Sequence, residues 1–243
     1  MFFDIHCHLT EINDAEKIVS NSEDYFCCSC LSIDDYHKAV ELKKNNRNVL
    51  ISCAVHPYYI DDSRISGLEW IKNNIDYIDA VGETGIDQSA DCKTELNIQI
   101  EYFVKHIELA QSYHKPLIVH CRKSYYEIYK IIRQIQPHIK IAFHNFTGNA
   151  EIAAKLLEFK MVYFSYTSNL SKFNNSKKKA AQLIPLDRIL FETDAPFLSN
   201  YSATTPNINF ELLCTEISLL KRMARPQAAA QIFNNATQFF FNE

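Results

Sequence analysis

Glycine and proline are scarce, four and seven among 243 residues, and they do not cluster. The chain therefore has no linker-like or low-complexity stretch, and no shift of composition marks a boundary, so one domain over residues 1–243 is expected. Long apolar runs are missing as well. No uncharged stretch approaches the roughly 18 residues of a membrane span, which argues against a membrane-spanning helix. Nor is there an excess of positive charge: 25 Lys and Arg against 29 Asp and Glu give a net charge of -4. A polyanionic partner would have to be held by a local site rather than by a global field. The opening MFFDIHCHLT has no basic start and no small-residue cleavage site, so it does not read as an export signal. A reducing cytoplasm is the expected compartment for the eight cysteines. Cys27, Cys28 and Cys30 resemble half of a zinc finger, but no second Cys or His pair follows at finger spacing, so they read as small buried strand residues.

What is present is apolar material for a large core, 47% of the chain. It is arranged as short β-branched or aromatic runs separated by longer helical stretches. Strands are expected near Phe2 to His8, Phe26 to Ser32, Val49 to Val55, Ala80 to Glu83, Leu117 to Cys121, Ile141 to Asn145, Val162 to Tyr166 and Ile189 to Glu192. Eight strands in 243 residues leave about 30 residues per unit, the size of a strand and its crossover helix. The fold class expected is accordingly α/β, a (β/α)8 TIM barrel. Phe239, Phe240 and Phe241 read as a tail packed on the barrel's outer helices, and Lys177 to Lys179 as a solvated helix face.

The chemistry begins at FDIHCHL. Side chains alternate along a strand, which puts Asp4, His6 and His8 on one face, and two histidines one residue apart at a strand end suit a shared divalent metal. Other expected strands also end in potential ligands: Glu83 in VGETGID, His120 in LIVHCR, His144 in AFHNFTG and Asp194 in LFETDAP. A barrel brings such strand ends to one mouth. Four histidines and two carboxylates exceed the three protein ligands of one catalytic zinc, so two metals are expected, with Glu83 as the natural bridge.

FDIHCHL, AVHP, GETGID, PLIVHCR, HNFTG and ETDAP, in this order and across nearly the whole chain, strongly resemble the TatD family of metal-dependent hydrolases. The resemblance implies His6, His8 and Asp194 on one ion, His120 and His144 on the other, and Glu83 between them. It also implies phosphodiester hydrolysis of the exonuclease type on DNA. Three features depart from the family pattern: Ala54 stands where Gly is usual, Tyr58 where a second histidine is common, and the rim loop LSNYSATTPN is brief.

The resemblance implies a deoxyribonuclease, which we expect to act on single strands or strand ends; with the ligands it implies two divalent ions (Zn, Mn, Mg or Ni), a metal-bridging hydroxide as nucleophile, and Glu83 and Asp194 as the catalytic carboxylates. Asp194 would orient the water or take its proton. His56 and Arg122 are candidates for contact with a phosphate, Arg122 alternatively for a structural ion pair. Asp4 is expected behind a histidine ligand, and Glu192 behind the ligands, holding Arg122. Tyr58, Tyr59, Phe146 and Tyr166 sit where a ring could stack on a base. His37, His106, His114 and His138 fall in helices or at their ends and read as surface or packing residues. The same ligands would also serve an amidohydrolase-like enzyme cleaving a small amide or ester.

Overall fold

The computed structural model describes residues 1–20, 22–60, 67–198 and 205–241; the 199–204 part of the rim loop lies outside the described residues. Eight parallel strands close into a barrel in sequence order: β1 Phe3–Cys7, β2 Tyr25–Cys30, β3 Val49–Cys53, β4 Ala80–Asp87, β5 Leu117–Arg122, β6 Ile141–Phe143, β7 Val162–Tyr166 and β8 Ile189–Phe191. Every expected strand is found, and the TIM barrel read from the sequence is the observed fold. The strand that differs most is β4, which runs four residues past Glu83 to Asp87.

Nine α-helices are described: α1 Ala15–Ser20, α2 Ile33–Asn45, α3 Leu68–Asn73, α4 Leu96–Ser112, α5 Tyr125–Ile135, α6 Ala150–Leu156, α7 Asn175–Leu183, α8 Thr205–Lys221 and α9 Arg225–Phe241. Several begin on side-chain caps that the sequence supplies. Ser32, Asn149 and Asn174 accept the N–H of Asp35, Ile152 and Lys177 at the starts of α2, α6 and α7. No described helix is long and apolar enough to cross a membrane.

Two apolar layers hold the barrel. Outward-facing strand residues such as Phe26, Ile51, Val119 and Phe164 meet the helices. Inside, each strand contributes to a smaller cluster that includes Phe3, Ile5, Leu50, Ile118, Tyr163 and Leu190. Phe239 of α9 joins that inner cluster, packing edge-on to Tyr163 at 5.5 Å, while Phe240 stacks on Phe3 at 5.0 Å. This corrects the expectation for the C-terminus. The last residues are not a tail on the outer helices but the end of a helix closing the bottom of the barrel, because the wide lower opening exposes apolar rings that another apolar element must cover. The eight cysteines are free thiols.

Candidate metal centre

Two β-bulges decide which side chains enter the mouth. In β1, Asp4 lies opposite Phe26 and Cys7 opposite Cys28, three residues against two. Phe26 and Cys28 face the helices, so Asp4 and Cys7 do too, and the extra residue leaves both Ile5 and His6 turned inward. In β4, Val81 lies opposite Leu117 and Thr84 opposite Val119, again three against two, and the bulge turns Glu83 into the barrel. Gly85 then passes β5 with φ +152°; a Cβ there would sit 2.0 Å from the His120 carbonyl oxygen, so only glycine permits this approach.

Strict alternation put Asp4 on the face of His6 and His8, and the bulge places it on the other. Asp4 accepts hydrogen bonds from the backbone N–H of Thr193 (3.0 Å) and His6 (3.2 Å) and from the Thr193 hydroxyl (2.6 Å). It therefore holds main chain rather than an imidazole, and its burial pushes its pKa up to about 7. The following turn is tied to β1 as well. The Asp194 N–H donates to the His6 carbonyl (3.0 Å), and the His8 N–H to the Ala195 carbonyl (2.7 Å). Asp194 takes a left-handed conformation, φ +51°, one that Asp tolerates better than most residues.

Glu83 is the hub. His144 Nε2 is 2.7 Å from its Oε1, His120 Nδ1 touches the same oxygen, and His6 Nε2 is 3.4 Å from Oε2. Asp194 Oδ1 lies 3.6 Å from both His6 Nε2 and His8 Nε2. Three sets bring ligand atoms within 4.8 Å of one another: His6, His8 and Asp194; His6, Glu83 and His144; and His56, Glu83 and His120. All six candidate ligands thus meet in one mouth, and His56 joins them.

Hydrogen bonding fixes several rings. His8 Nδ1 donates to the Ser29 carbonyl (3.0 Å), which leaves Nε2 as a lone pair toward Asp194. His120 Nε2 bonds Asp87 Oδ2 at 2.8 Å, and Asp87 Oδ1 accepts the Ser89 N–H at 2.7 Å. The sequence reading passed over Asp87; the signal was its place four residues after Glu83 in GETGID, which the strand carries to the same inward face. His56 Nδ1 accepts the Tyr58 N–H (3.1 Å), so the neutral ring carries its proton on Nε2, 3.6 Å from Glu83. That nitrogen is a donor rather than a lone pair for a cation. Burial lowers the His56 pKa to about 4.

Arg122 is half exposed. Its Nη1 donates to the Tyr58 hydroxyl (2.7 Å) and its guanidinium lies 3.7 Å from both Asp87 and Asp91. Glu192 does not hold it, contrary to expectation; Glu192 is fully buried with Oε1 3.5 Å from His144 Nδ1. Among the aromatic candidates, Phe146 and Tyr166 are 1% exposed and packed in the outer core, so neither offers a face to a ligand, whereas Tyr58 and Tyr59 remain half-buried at the rim. Phe197, not singled out in the sequence, lies exposed with its ring 4.7 Å from that of His8.

The donor set fits divalent cations. Both ring nitrogens of His6 are buried without a hydrogen-bond partner. The 3.4 to 3.6 Å separations around His6 Nε2 match the edge of about 3.4 Å expected for a tetrahedron with bonds of about 2.1 Å. Imidazole with carboxylate suits zinc and related ions. Electrostatics agree. Burial raises the Glu83 carboxyl, but His144, His56, His120 and His6 outweigh it and hold it well below the usual carboxylate range. Burial and His144 push His6 down, yet Glu83 and Asp194 carry it up to about 10. Divalent cations held by these residues would take the place of the imidazole protons beside Glu83.

Comparison with known proteins gives the family. Residues 3–241 match the family model described as TatD related DNase. An uncharacterized metal-dependent hydrolase of Buchnera aphidicola subsp. Baizongia pistaciae is 33% identical over 211 residues, 81% of this chain and 78% of the relative. The structure of YJJV, a TatD homolog from Escherichia coli, superimposes with a TM-score of 0.84 at 18% identity, covering 98% of this chain and 97% of the other. A β-aspartyl dipeptidase from Fervidobacterium islandicum shares the fold at a TM-score of 0.64 and 17% identity, covering 98% of this chain and 74% of the dipeptidase. The chain belongs to the TatD family of metal-dependent hydrolases.

Proposed function

We propose that this protein is a divalent-metal-dependent deoxyribonuclease that hydrolyses phosphodiester bonds at the ends of single strands. The observation that carries the reading is the convergence on Glu83 of His6 from β1, His120 from β5 and His144 from just past β6, with Asp194 and His8 beside His6. His6, His8 and Asp194 would hold one ion, His120 and His144 the second, and Glu83 both. Two such ions supply Lewis acidity and lower the pKa of water.

The chain's own residues do the rest. Asp194 stays ionised, since the His6 and His8 rings outweigh its burial and hold it far below the carboxylate range, so it can take the proton of the attacking water. As the new P–O bond forms, the bond to the leaving sugar oxygen breaks and that oxygen takes up a proton. Arg122, exposed at the mouth and steadied by Tyr58, is placed to bind phosphoryl oxygens in bidentate fashion. His56 Nε2–H adds a neutral donor. The Asp87 and Ser29 contacts keep His120 and His8 from rotating.

A second reading, hydrolysis of a small amide or ester, draws on the shared fold of the dipeptidase. The two separate on substrates. Metal-stripped protein is assayed with Zn, Mn, Mg or Ni on a single-stranded oligonucleotide, bis(p-nitrophenyl) phosphate, p-nitrophenyl acetate and a β-aspartyl dipeptide. The nuclease reading expects metal-dependent shortening of the oligonucleotide and turnover of the phosphate diester. Turnover of the acyl ester or dipeptide with the oligonucleotide left intact sinks it.

A further inference from the structure

Beside the metal centre, the loops after β5, β6 and β7 enclose a groove of about 630 Å³ lined by Lys123, Thr147, Asn149, Lys155, Asn174 and Lys177. It starts where the ligand-bearing strands end. Lys123 follows His120 by three residues, and Thr147 follows His144 by three. Lys123 is exposed and has no hydrogen-bond or ion-pair partner among the described residues. Among the described residues, the ammonium groups of Lys155 and Lys177 meet aromatic rings, Tyr129 and Phe173, at 5.7 and 5.0 Å. Glu127 and Glu151 also line the groove, so its lysines outnumber its carboxylates by one. Two longer helices, α5 and α7, begin there and add the positive ends of their dipoles. The surface of a protein with net charge -4 therefore turns cationic next to the catalytic mouth. The barrel's lower rim differs. There helices end, and cationic groups such as Lys115 and Lys140 sit where negative helix termini call for them.

We infer that this groove carries the phosphodiester backbone of a single-stranded DNA substrate beyond the nucleotide held at the metal centre, with Lys123, Lys155 and Lys177 supplying the phosphate contacts. The inference rests on the nuclease reading above and adds the substrate's extent: strands longer than a few nucleotides gain affinity that short ones cannot. It also gives Lys177, read from the sequence as part of a solvated face, a ligand.

The test is binding, followed by fluorescence anisotropy on the metal-loaded full chain with strands carrying phosphorothioate linkages, which keep the backbone charge and resist cleavage. A labelled strand of about twelve nucleotides, within the usual range of single-strand site sizes, is compared with a dinucleotide, which falls below it. Replacing Lys123, Lys155 and Lys177 together by alanine is expected to weaken binding of the longer strand about tenfold at about 50 mM salt and to flatten the slope of log affinity against log salt by about 2, roughly 0.7 per lost contact. Dinucleotide affinity should stay within about twofold, since only one phosphate can be engaged there. A charge-matched control, with the exposed Lys38, Lys44 and Lys72 replaced by alanine, should keep the native slope. If the groove variant and the control bind the longer strand alike while the native enzyme still cuts DNA, the inference fails and the nuclease reading stands. If the native protein neither binds nor cuts DNA but turns over an acyl ester or dipeptide, both fall.

Discussion

At the residue scale, the centre is organised around one carboxylate. Glu83 touches His120 and His144 directly and faces His6 and His56, so its loss would remove the one carboxylate that all four rings share. Arg122 is different: half exposed, it stands at the edge of the mouth and its contacts are a tyrosine hydroxyl and two carboxylates. Glu83→Ala is therefore expected to lower kcat on a phosphodiester by at least about 100-fold and to reduce the number of metal ions retained per chain, measured by elemental analysis. Arg122→Ala is expected to raise KM about tenfold with kcat little changed. Should Arg122→Ala leave KM untouched and lower the unfolding midpoint instead, its role is the structural ion pair. Both candidate roles of Arg122 are open in the sequence, because LIVHCR gives its face but not its neighbours. Asp87 comes from the end of β4, and Asp91 and Tyr58 from the segments after β4 and β3.

At the element scale, α4 steadies the site through His106. This ring is fully buried; its Nδ1–H donates to the Tyr102 carbonyl at 2.7 Å, and Nε2 accepts the N–H of Val55, the residue before His56, at 3.0 Å. The sequence reads His106 as a surface or packing residue by its helical position, and the structure buries it. What the sequence could not give is the partner, since Val55 lies 51 residues away. Burial lowers the His106 pKa to about 4 from 6.5. Below pH 6.5 the unfolded chain takes up a proton that the folded chain refuses. The stabilisation is therefore complete above that pH and is lost as the pH falls toward about 4. His106→Gln should be less stable than the native protein at pH 7.5, by roughly 1 to 3 kcal/mol if the Val55 N–H is left unpaired. That gap should narrow by about 2 kcal/mol at pH 5. Urea unfolding of both proteins at the two pH values decides it; parallel pH curves would show that His106 does not titrate between the two states.

At the scale of the whole molecule, the barrel has a catalytic end and a closed end, and α9 makes the second. Phe239, 1% exposed, sits in the inner cluster with residues from all eight strands. Phe239→Ala should cost about 3 to 5 kcal/mol, the usual range for emptying such a site, while leaving kcat within about twofold because the metal centre lies at the opposite end. A drop in kcat as large as the loss of stability would mean that the two ends are coupled. The sequence by itself determined the barrel and the ligand types. Apolar runs at 30-residue intervals require strands that share one core, and histidines and carboxylates at the ends of those runs can meet only where parallel strands end together. It could not determine how each strand is paired. Alternation is a local rule, and the one-residue bulges in β1 and β4 are set by the neighbouring strands, against which Asp4 turns outward and Glu83 inward. For the same reason the place of the last helix was hidden. Its phenylalanines announce burial, but only the closed barrel creates the opening that they fill.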